Sequence, residues 1–338
     1  MKSLTKSTVT KEQIEKACKK HFNCTIDEYH ELNDGFYNIS YLVRLSDGKE
    51  TVLKIAPPKD VDILTYEKDI MATETLFYKL TFEHTDIKVP RILAEDDSCE
   101  IISSPYYFMS KLEGMPLNKI KKITPEMRKN IYITLAEYLA KIHNIKGETF
   151  GYITMEKECK GKGCLNSLIV SVDALLRDAK RKNVKLPFKN EEIYEVFENS
   201  KKAFDEIEYP VVCHYDLWDG NIFVQGENEG IEITGVIDFE RGFYGCPAAD
   251  FCQAVHYIDF GKDTYFLDTY NKYANKKAVY DDKMKCRIAA YRFYLFLIMR
   301  IECDYRDVAG SFLPQKLWVL KDIKGVYKNL KETSDKLL

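Results

Sequence analysis

Eight residues, HYDLWDGN at 214–221, concentrate polar side chains directly after an apolar run. Asp216 and Asn221 lie five positions apart, the spacing of protein-kinase catalytic loops, and Asp238 ends the later apolar stretch GVID. Phosphoryl transfer uses such groups: one carboxylate orients a hydroxyl and accepts its proton, while an amide and a second carboxylate hold Mg²⁺ on the phosphates. A turn in which Asp and Asn bond their own backbone would show the same spacing, so both interpretations remain open on these residues alone.

A lysine upstream favours the catalytic interpretation. Lys54 lies in the apolar stretch TVLKIA, where an ammonium group is costly unless it meets an anion or a carboxylate. Nucleotide phosphates are such an anion, and the helical segment after this stretch carries two possible carboxylate partners, Glu67 and Glu74. We favour Glu74 because Leu76 and Leu80 follow it on a packing face.

A possible phosphate loop precedes the lysine. The stretch LNDGFYNIS at 32–40 contains one glycine, Gly35, where a protein kinase would have three. A plain hairpin turn explains this glycine equally well, and only the position of the stretch, just before a strand hairpin, supports a role in phosphate binding.

Composition limits the classes of function. The chain has 338 residues, 45% of them hydrophobic, which is enough for two lobes. Its 50 basic and 53 acidic residues give a net charge of −3, which predicts no nucleic-acid partner. The longest apolar run spans seven residues, 293–299, so we expect a buried core helix and no membrane span. Ten scattered cysteines without a secretory leader predict reduced thiols and a cytoplasmic protein. The oligomeric state stays open.

The pattern of elements changes near residue 113. Before it, strand-like runs at 39–45 and 51–56 flank an Asp-Gly turn, a helical stretch follows at 65–80, and 104–114 is typical of another strand. After it, helices dominate, beginning with Thr124 as N-cap and Pro125 at the first helical position. Short strands at 211–238 surround the polar octet.

Together these segments resemble the aminoglycoside phosphotransferase family, relatives of choline and homoserine kinases. HYDLWDGNIFV is similar to the family's HGDLHPGNILV pattern, GVIDFERGFYGCPAADF to its IDWE and DPxxDLA patterns, and YYFMSKLEGMPL to its adenine-hinge strand. The resemblance implies an α+β protein-kinase-like fold with two lobes. The N-terminal lobe, 1–112, would hold an antiparallel sheet with one main helix, and the C-terminal lobe, 113–338, would be mostly helical.

The resemblance also implies roles for individual residues. Asp216 would be the catalytic base, and Asn221 and Asp238 would hold Mg²⁺. Lys54, supported by Glu74, would bind the phosphates of ATP or GTP. His214 and Asp250 would be structural. The remaining nucleotide contacts would come from the loop between Gly35 and Ser40, including Asn38, and from backbone groups of Ser110 and Leu112.

Two positions depart from the family pattern. Tyr215 stands where the antibiotic kinases usually have Gly, and Cys246 stands where the family's Gly-Asp-Pro motif would supply Asp. The first change affects how the loop packs and the second affects a supporting hydrogen bond. Neither removes the predicted base or a predicted metal ligand.

The acceptor is the least determined part of this interpretation. The predicted activity is phosphorylation of a hydroxyl on a small molecule, with an aminoglycoside-like antibiotic as the first candidate. A metabolite kinase acting on choline, an amino alcohol or a sugar is the alternative, and a non-catalytic nucleotide-binding pseudokinase is the second. A cationic acceptor could bind acidic residues of the C-terminal half, although a solvated acidic face explains them equally well. These residues are Asp259, Asp263, Glu302, Asp304 and Asp307.

Overall fold

Five antiparallel strands form the first sheet of the computed structural model, which describes residues 7–32, 37–226, 230–254, 256–308 and 310–338. Their spatial order is β1-β2-β3-β5-β4. The strands are β1 (Ile26–Leu32), β2 (Ile39–Leu45), β3 (Glu50–Ile55), β4 (Ile92–Asp96) and β5 (Tyr106–Ser110). The central strands β3 and β5 bury side chains on both faces of the sheet, so each face must be covered by another element.

Two helices accompany this sheet, where the sequence predicted one main helix. Helix α1 (Lys11–Phe22) begins at Thr10, whose side chain forms a capping box with Gln13. Its buried residues share a core cluster with Leu53 and Phe108 of the sheet. Helix α2 (Ile70–His84) belongs to a second cluster, which contains residues from the opposite face of the same strands. The predicted helical stretch 65–80 therefore corresponds to a 3-10 turn at 65–67 followed by α2.

Helices dominate the rest of the described chain, as the sequence predicts. Thr124 accepts a hydrogen bond from the backbone of Met127, and Pro125 starts the helix that it caps. The helices are α3 (Pro125–Ile142), α4 (Glu156–Cys159), α5 (Cys164–Arg181), α6 (Asn190–Asn199), α7 (Lys201–Phe204), α8 (Ala248–Ala254), α9 (Thr264–Tyr273), α10 (Asp282–Arg306) and α11 (Leu313–Asp335). The strands are β6 (Met115–Pro116), β7 (Val211–Cys213), β8 (Ile222–Gln225), β9 (Glu232–Val236) and β10 (Phe243–Gly245).

The apolar run at 293–299 lies inside α10, where its residues are almost all buried in the core. Across the described ranges, no helix combines the length and the apolar character needed to cross a membrane. All ten cysteines carry free thiols. The α+β fold with two lobes is confirmed.

A glycine marks the passage from the first sheet to the second. The first sheet ends at Ser110, and β6 pairs with β8 in a separate sheet whose order is β6-β8-β9. Between them, Gly114 has a φ of +84°, and a Cβ atom there would lie 2.2 Å from the carbonyl oxygen of Val224. Only glycine fits both this backbone conformation and this close approach.

Asp250, on α8, connects the polar octet to the helical core. Its Oδ1 accepts a hydrogen bond from the backbone N–H of Tyr215 at 2.6 Å, and its Oδ2 accepts one from the N–H of His214 at 3.0 Å. The same Oδ2 lies 2.8 Å from Nε2 of His143, whose Nδ1 is 2.9 Å from the hydroxyl of Tyr270. Burial opposes ionisation of Asp250, but these hydrogen bonds hold its pKa below the usual value.

Replacing Asp250 by Ala should lower the free energy of unfolding by about 3–5 kcal/mol, because a buried imidazole and two backbone N–H groups lose their acceptor. Guanidinium chloride unfolding followed by circular dichroism measures the change. Asp268→Ala, at an exposed position of α9, is the matched control and should unfold like the wild type. Equal unfolding midpoints for the two variants would show that Asp250 does not anchor the loop.

Candidate active site

The loop at 214–221 is held from inside by the imidazole of His214. Its Nε2–H donates to the carbonyl of Ile237 at 2.9 Å, and its Nδ1 accepts the backbone N–H of Asp216 at 3.3 Å. Both bonds require the neutral Nε2–H tautomer. Burial lowers the pKa of His214, which favours this neutral form. His214 thus ties the loop to the strand that leads to Asp238.

Asp216 and Asn221 meet across the loop. The side-chain N–H₂ of Asn221 donates to the backbone carbonyl of Asp216 at 2.8 Å and to its Oδ2 at 3.2 Å. The Asp216 side chain keeps 15% of its surface exposed, while Asn221 is buried. Burial raises the pKa of the Asp216 carboxyl, and the guanidinium of Arg241, 3.6 Å from its Oδ1, limits the rise.

Lys54 brings its ammonium group to carboxylates from two parts of the chain. Its Nζ lies 2.8 Å from Oε1 of Glu74 on α2 and 2.6 Å from Oδ1 of Asp238. Glu240 is 3.9 Å away. Burial alone would lower the pKa of Lys54, but the three carboxylates together raise it well above its usual value. The lysine is therefore charged at neutral pH.

The structure pairs Lys54 with Glu74 and gives Glu67 another partner. Glu67 is buried, and its Oε1 lies 2.5 Å from the guanidinium of Arg306. Burial raises the pKa of Glu74 to about 7, and Lys54 opposes this rise.

The residues predicted to contact the nucleotide near the lysine differ in what they contact within the chain. Gly35 lies outside the described residues. Asn38 is buried and donates to Oε2 of Glu240 at 3.1 Å. Ser40 pairs with Lys54 across β2 and β3.

At the other end of the sheet, the backbone N–H of Ser110 donates to the carbonyl of Arg91 at 2.9 Å, so this group is already used within the fold. The side chain of Leu112 lies against Gly235, where an added Cβ would come within 2.7 Å of its Cδ1. This close contact places Leu112 over β9.

The five acidic residues considered for a cationic acceptor have partners within the chain. Glu302 is buried and binds Arg241 at 2.9 Å and Arg306 at 3.3 Å. Asp304 forms ion pairs with Arg300 and Lys316. The Asp307 carboxylate accepts a hydrogen bond from the backbone N–H of Phe312. The Asp263 carboxylate accepts one from the backbone N–H of Asp259, whose own side chain pairs with Lys262. Each of the five carboxylates therefore has a partner within the described part of the chain, and the pair of Asp259 with Lys262 is largely exposed. Their role in binding an acceptor stays a prediction.

Sequence reasoning missed Arg241 and Glu240. Both follow Asp238 directly in the stretch DFER, and both are buried. Arg241 bridges the carboxylates of Asp216 and Glu302. Two charged residues beside a predicted metal ligand were the available signal, since buried charges need partners.

The chain matches the model of the phosphotransferase enzyme family, APH, over residues 28–283. The chain belongs to this family. It is a phosphotransferase with an alcohol group as acceptor. No curated protein matches the chain significantly.

Solved structures share the fold at low sequence identity. A protein from Ralstonia eutropha with a proposed aminoglycoside phosphotransferase function has a TM-score of 0.67 and 13% identity, over 97% of this chain and 98% of the other. A protein from Thermobifida fusca, proposed to be a fructosamine-3-kinase, has a TM-score of 0.66 and 17% identity, over 97% and 100%. The GDP and kanamycin complex of APH(2")-IIIa has a TM-score of 0.59 and 13% identity, over 92% and 96%.

Replacing Glu302 by Gln should lower the free energy of unfolding by about 3 kcal/mol, because Arg241 and Arg306 would lose a buried counter-charge. Thermal and denaturant unfolding measure this effect. The control is Asp259→Asn, at an exposed carboxylate, which should unfold like the wild type. A Glu302→Gln protein as stable as the wild type would argue that Glu302 is reserved for a ligand.

Proposed function

We propose that this protein transfers the γ-phosphoryl group of ATP or GTP to a hydroxyl of a small molecule, with Mg²⁺ bound to the nucleotide. An aminoglycoside-like compound is the first candidate acceptor. One observation carries the proposal: Asp216, Asn221, Lys54 and Asp238 come from distant parts of the chain and are joined by direct contacts and by the loop at 214–221.

The residues divide the work of an in-line transfer. The Asp216 carboxylate orients the acceptor hydroxyl and accepts its proton while the hydroxyl oxygen bonds to the γ-phosphorus and the nucleoside diphosphate leaves. The guanidinium of Arg241, which is anchored by Glu302, lies 3.6 Å from Oδ1 of this carboxylate and helps to position it. Lys54, aligned by Glu74, binds the phosphates of the donor.

The charges around Lys54 fit a divalent cation. Three carboxylates, those of Glu74, Asp238 and Glu240, surround this one ammonium group. Mg²⁺ prefers a few protein oxygens together with phosphate oxygens, and the Asp238 carboxylate and the Asn221 amide oxygen would supply them. When bound, the ion neutralises charge that develops on the phosphates.

Two observations bear on the acceptor. Kanamycin and hygromycin B are bound in solved structures that share the fold, which supports an aminoglycoside-like acceptor. Glu302, the buried member of the acidic residues proposed for a polycation, is paired with Arg241 and Arg306, and a structure proposed to be a fructosamine-3-kinase matches the fold equally well. A sugar derivative is therefore the second candidate.

Replacing Asp216 by Asn should lower kcat by about 100-fold or more, because the acceptor hydroxyl loses its general base. Nucleotide affinity should change little, since Asp216 is not among the groups proposed to bind phosphate. Coupled phosphate-transfer assays with kanamycin, fructosyl-lysine, choline and ethanolamine measure turnover, and isothermal titration with Mg²⁺-AMP-PNP measures affinity.

The Asp268→Asn variant, at an exposed position of α9, serves as the control and should keep wild-type turnover. An Asp216→Asn protein with wild-type kcat would remove the base assignment. A wild-type protein that binds Mg²⁺-nucleotide without any turnover would instead favour the pseudokinase.

Replacing Asp238 by Asn should weaken binding of Mg²⁺-nucleotide by about tenfold or more, since an anionic ligand becomes neutral. Isothermal titration at several Mg²⁺ concentrations measures the loss. In EDTA the wild type and the variant should bind nucleotide with similar affinity. A deficit of equal size with and without Mg²⁺ would contradict the assignment of Asp238 to the metal.

A further inference from the structure

Trp218 is the exposed residue of the loop that carries the proposed base. Its side chain keeps 44% of its surface exposed, while its neighbours Leu217 and Asp219 are buried. The backbone N–H of Trp218 donates to the carbonyl of Asp216 at 3.0 Å, an i to i+2 bond that closes a γ-turn. This turn joins the backbones of Trp218 and Asp216, with the buried side chain of Leu217 between them in sequence.

A glycine fixes the position of the indole. A Cβ atom at Gly220 would lie 2.3 Å from Cζ2 and 2.4 Å from Cη2 of Trp218, so the six-membered part of the ring packs directly on the glycine backbone. The backbone N–H of Asn221 donates to the carbonyl of Trp218 at 2.9 Å. The loop thus holds one side of the indole in contact with Gly220, while 44% of the residue's surface stays exposed. A ring that is already positioned loses little conformational entropy when a ligand binds to it.

The charge next to the indole is neutralised. Asp219 receives two hydrogen bonds from the guanidinium of Arg128, at 2.8 and 2.9 Å. The same guanidinium lies 4.1 Å from the centroid of the Tyr257 ring, which is itself exposed. The residue that follows Trp218 in the loop is therefore a carboxylate already paired with Arg128, and the Tyr257 ring lies against the same guanidinium.

These features select one chemical class of acceptor, and the inference rests on the function proposed above. We propose that Trp218 is the platform on which a saturated, hydroxylated ring, a sugar or a cyclitol, stacks while one of its hydroxyls meets Asp216. The negative face of the indole attracts the positive C–H face of such a ring. A compact acyclic ammonium compound such as choline would need several aromatic rings or a free carboxylate. The loop presents one exposed indole, and the carboxylate of the next residue, Asp219, is neutralised by Arg128.

Replacing Trp218 by Ala should raise KM for kanamycin and for fructosyl-lysine roughly tenfold, a loss of about 1.4 kcal/mol of binding. Affinity for Mg²⁺-AMP-PNP, measured by isothermal titration, should change less than KM for these acceptors. Trp218→Phe keeps an aromatic face and should recover part of the lost affinity. A purely structural role for Trp218 would lower kcat and nucleotide affinity together and would not be rescued by Phe.

The chain contains two tryptophans, which permits a direct binding test. Trp318, on α11, is 43% exposed and packs against Phe296 at 5.6 Å, so it is matched to Trp218 in type and exposure. In Trp318→Phe, addition of kanamycin or fructosyl-lysine should still change the fluorescence intensity, because Trp218 remains. In Trp218→Phe the change should be lost.

The Gly220→Ala variant tests whether the position of the Trp218 indole matters, because it keeps the ring but changes its position. The added methyl group must displace the indole, so KM for the ring-bearing acceptors should rise although Trp218 is retained. The inference is overturned if ring-bearing acceptors neither turn over nor change the fluorescence of Trp318→Phe at millimolar concentrations. It is equally overturned if choline or ethanolamine is the better acceptor, or if Trp218→Ala leaves KM unchanged. Absence of Mg²⁺-nucleotide binding in the wild type would instead remove the proposed function itself.

Discussion

The ammonium group of Lys54 is the centre on which the candidate site depends. It comes from the middle strand of the first sheet, and its contacts reach α2 through Glu74 and the C-terminal lobe through Asp238. Burying one charge away from water costs several kcal/mol, and this cost is offset only while the opposite charges stay in place. The positions of a strand, a helix and the segment after β9 are thus coupled through one side chain. A shift of any of the three would leave a charge without its partner.

Strained backbone at two residues shapes the same region. Tyr215 and Asp238 both have a positive backbone φ, of 60° and 74°, which residues other than glycine rarely adopt. Glycine, which the family pattern led us to expect at position 215, would adopt this conformation without strain. Here other contacts hold Tyr215 in it. The Tyr215 hydroxyl donates to the carbonyl of Tyr291 at 2.6 Å, and its own carbonyl accepts from Gln253 at 3.0 Å. Such outliers persist where the surroundings determine the chain path.

Local signals in the sequence predicted the elements, and contacts between distant segments remained hidden. The strand 39–45 and the helix beginning at Pro125 follow from alternation, helical spacing and a cap, all of which are visible within a few residues. Helix α1 escaped notice because it has few apolar residues among many charged ones. The pairing of Arg241 with Glu302 joins positions 61 residues apart, and no local pattern encodes it. For this reason the sequence alone could not distinguish Glu302, which is paired inside the fold, from a carboxylate that is free to bind a ligand.

The joint at Gly114 has a consequence for how the sequence of this protein can vary. Here the backbone of one lobe passes so close to the carbonyl of Val224 that no side chain fits, and the φ of +84° independently excludes most other residues. Two separate requirements, one of space and one of torsion, thus act on a single position. A compensating substitution elsewhere could relieve one of them but not the other. We therefore expect that no stepwise exchange at position 114 passes through a well-folded protein, because each step would have to meet both requirements at once.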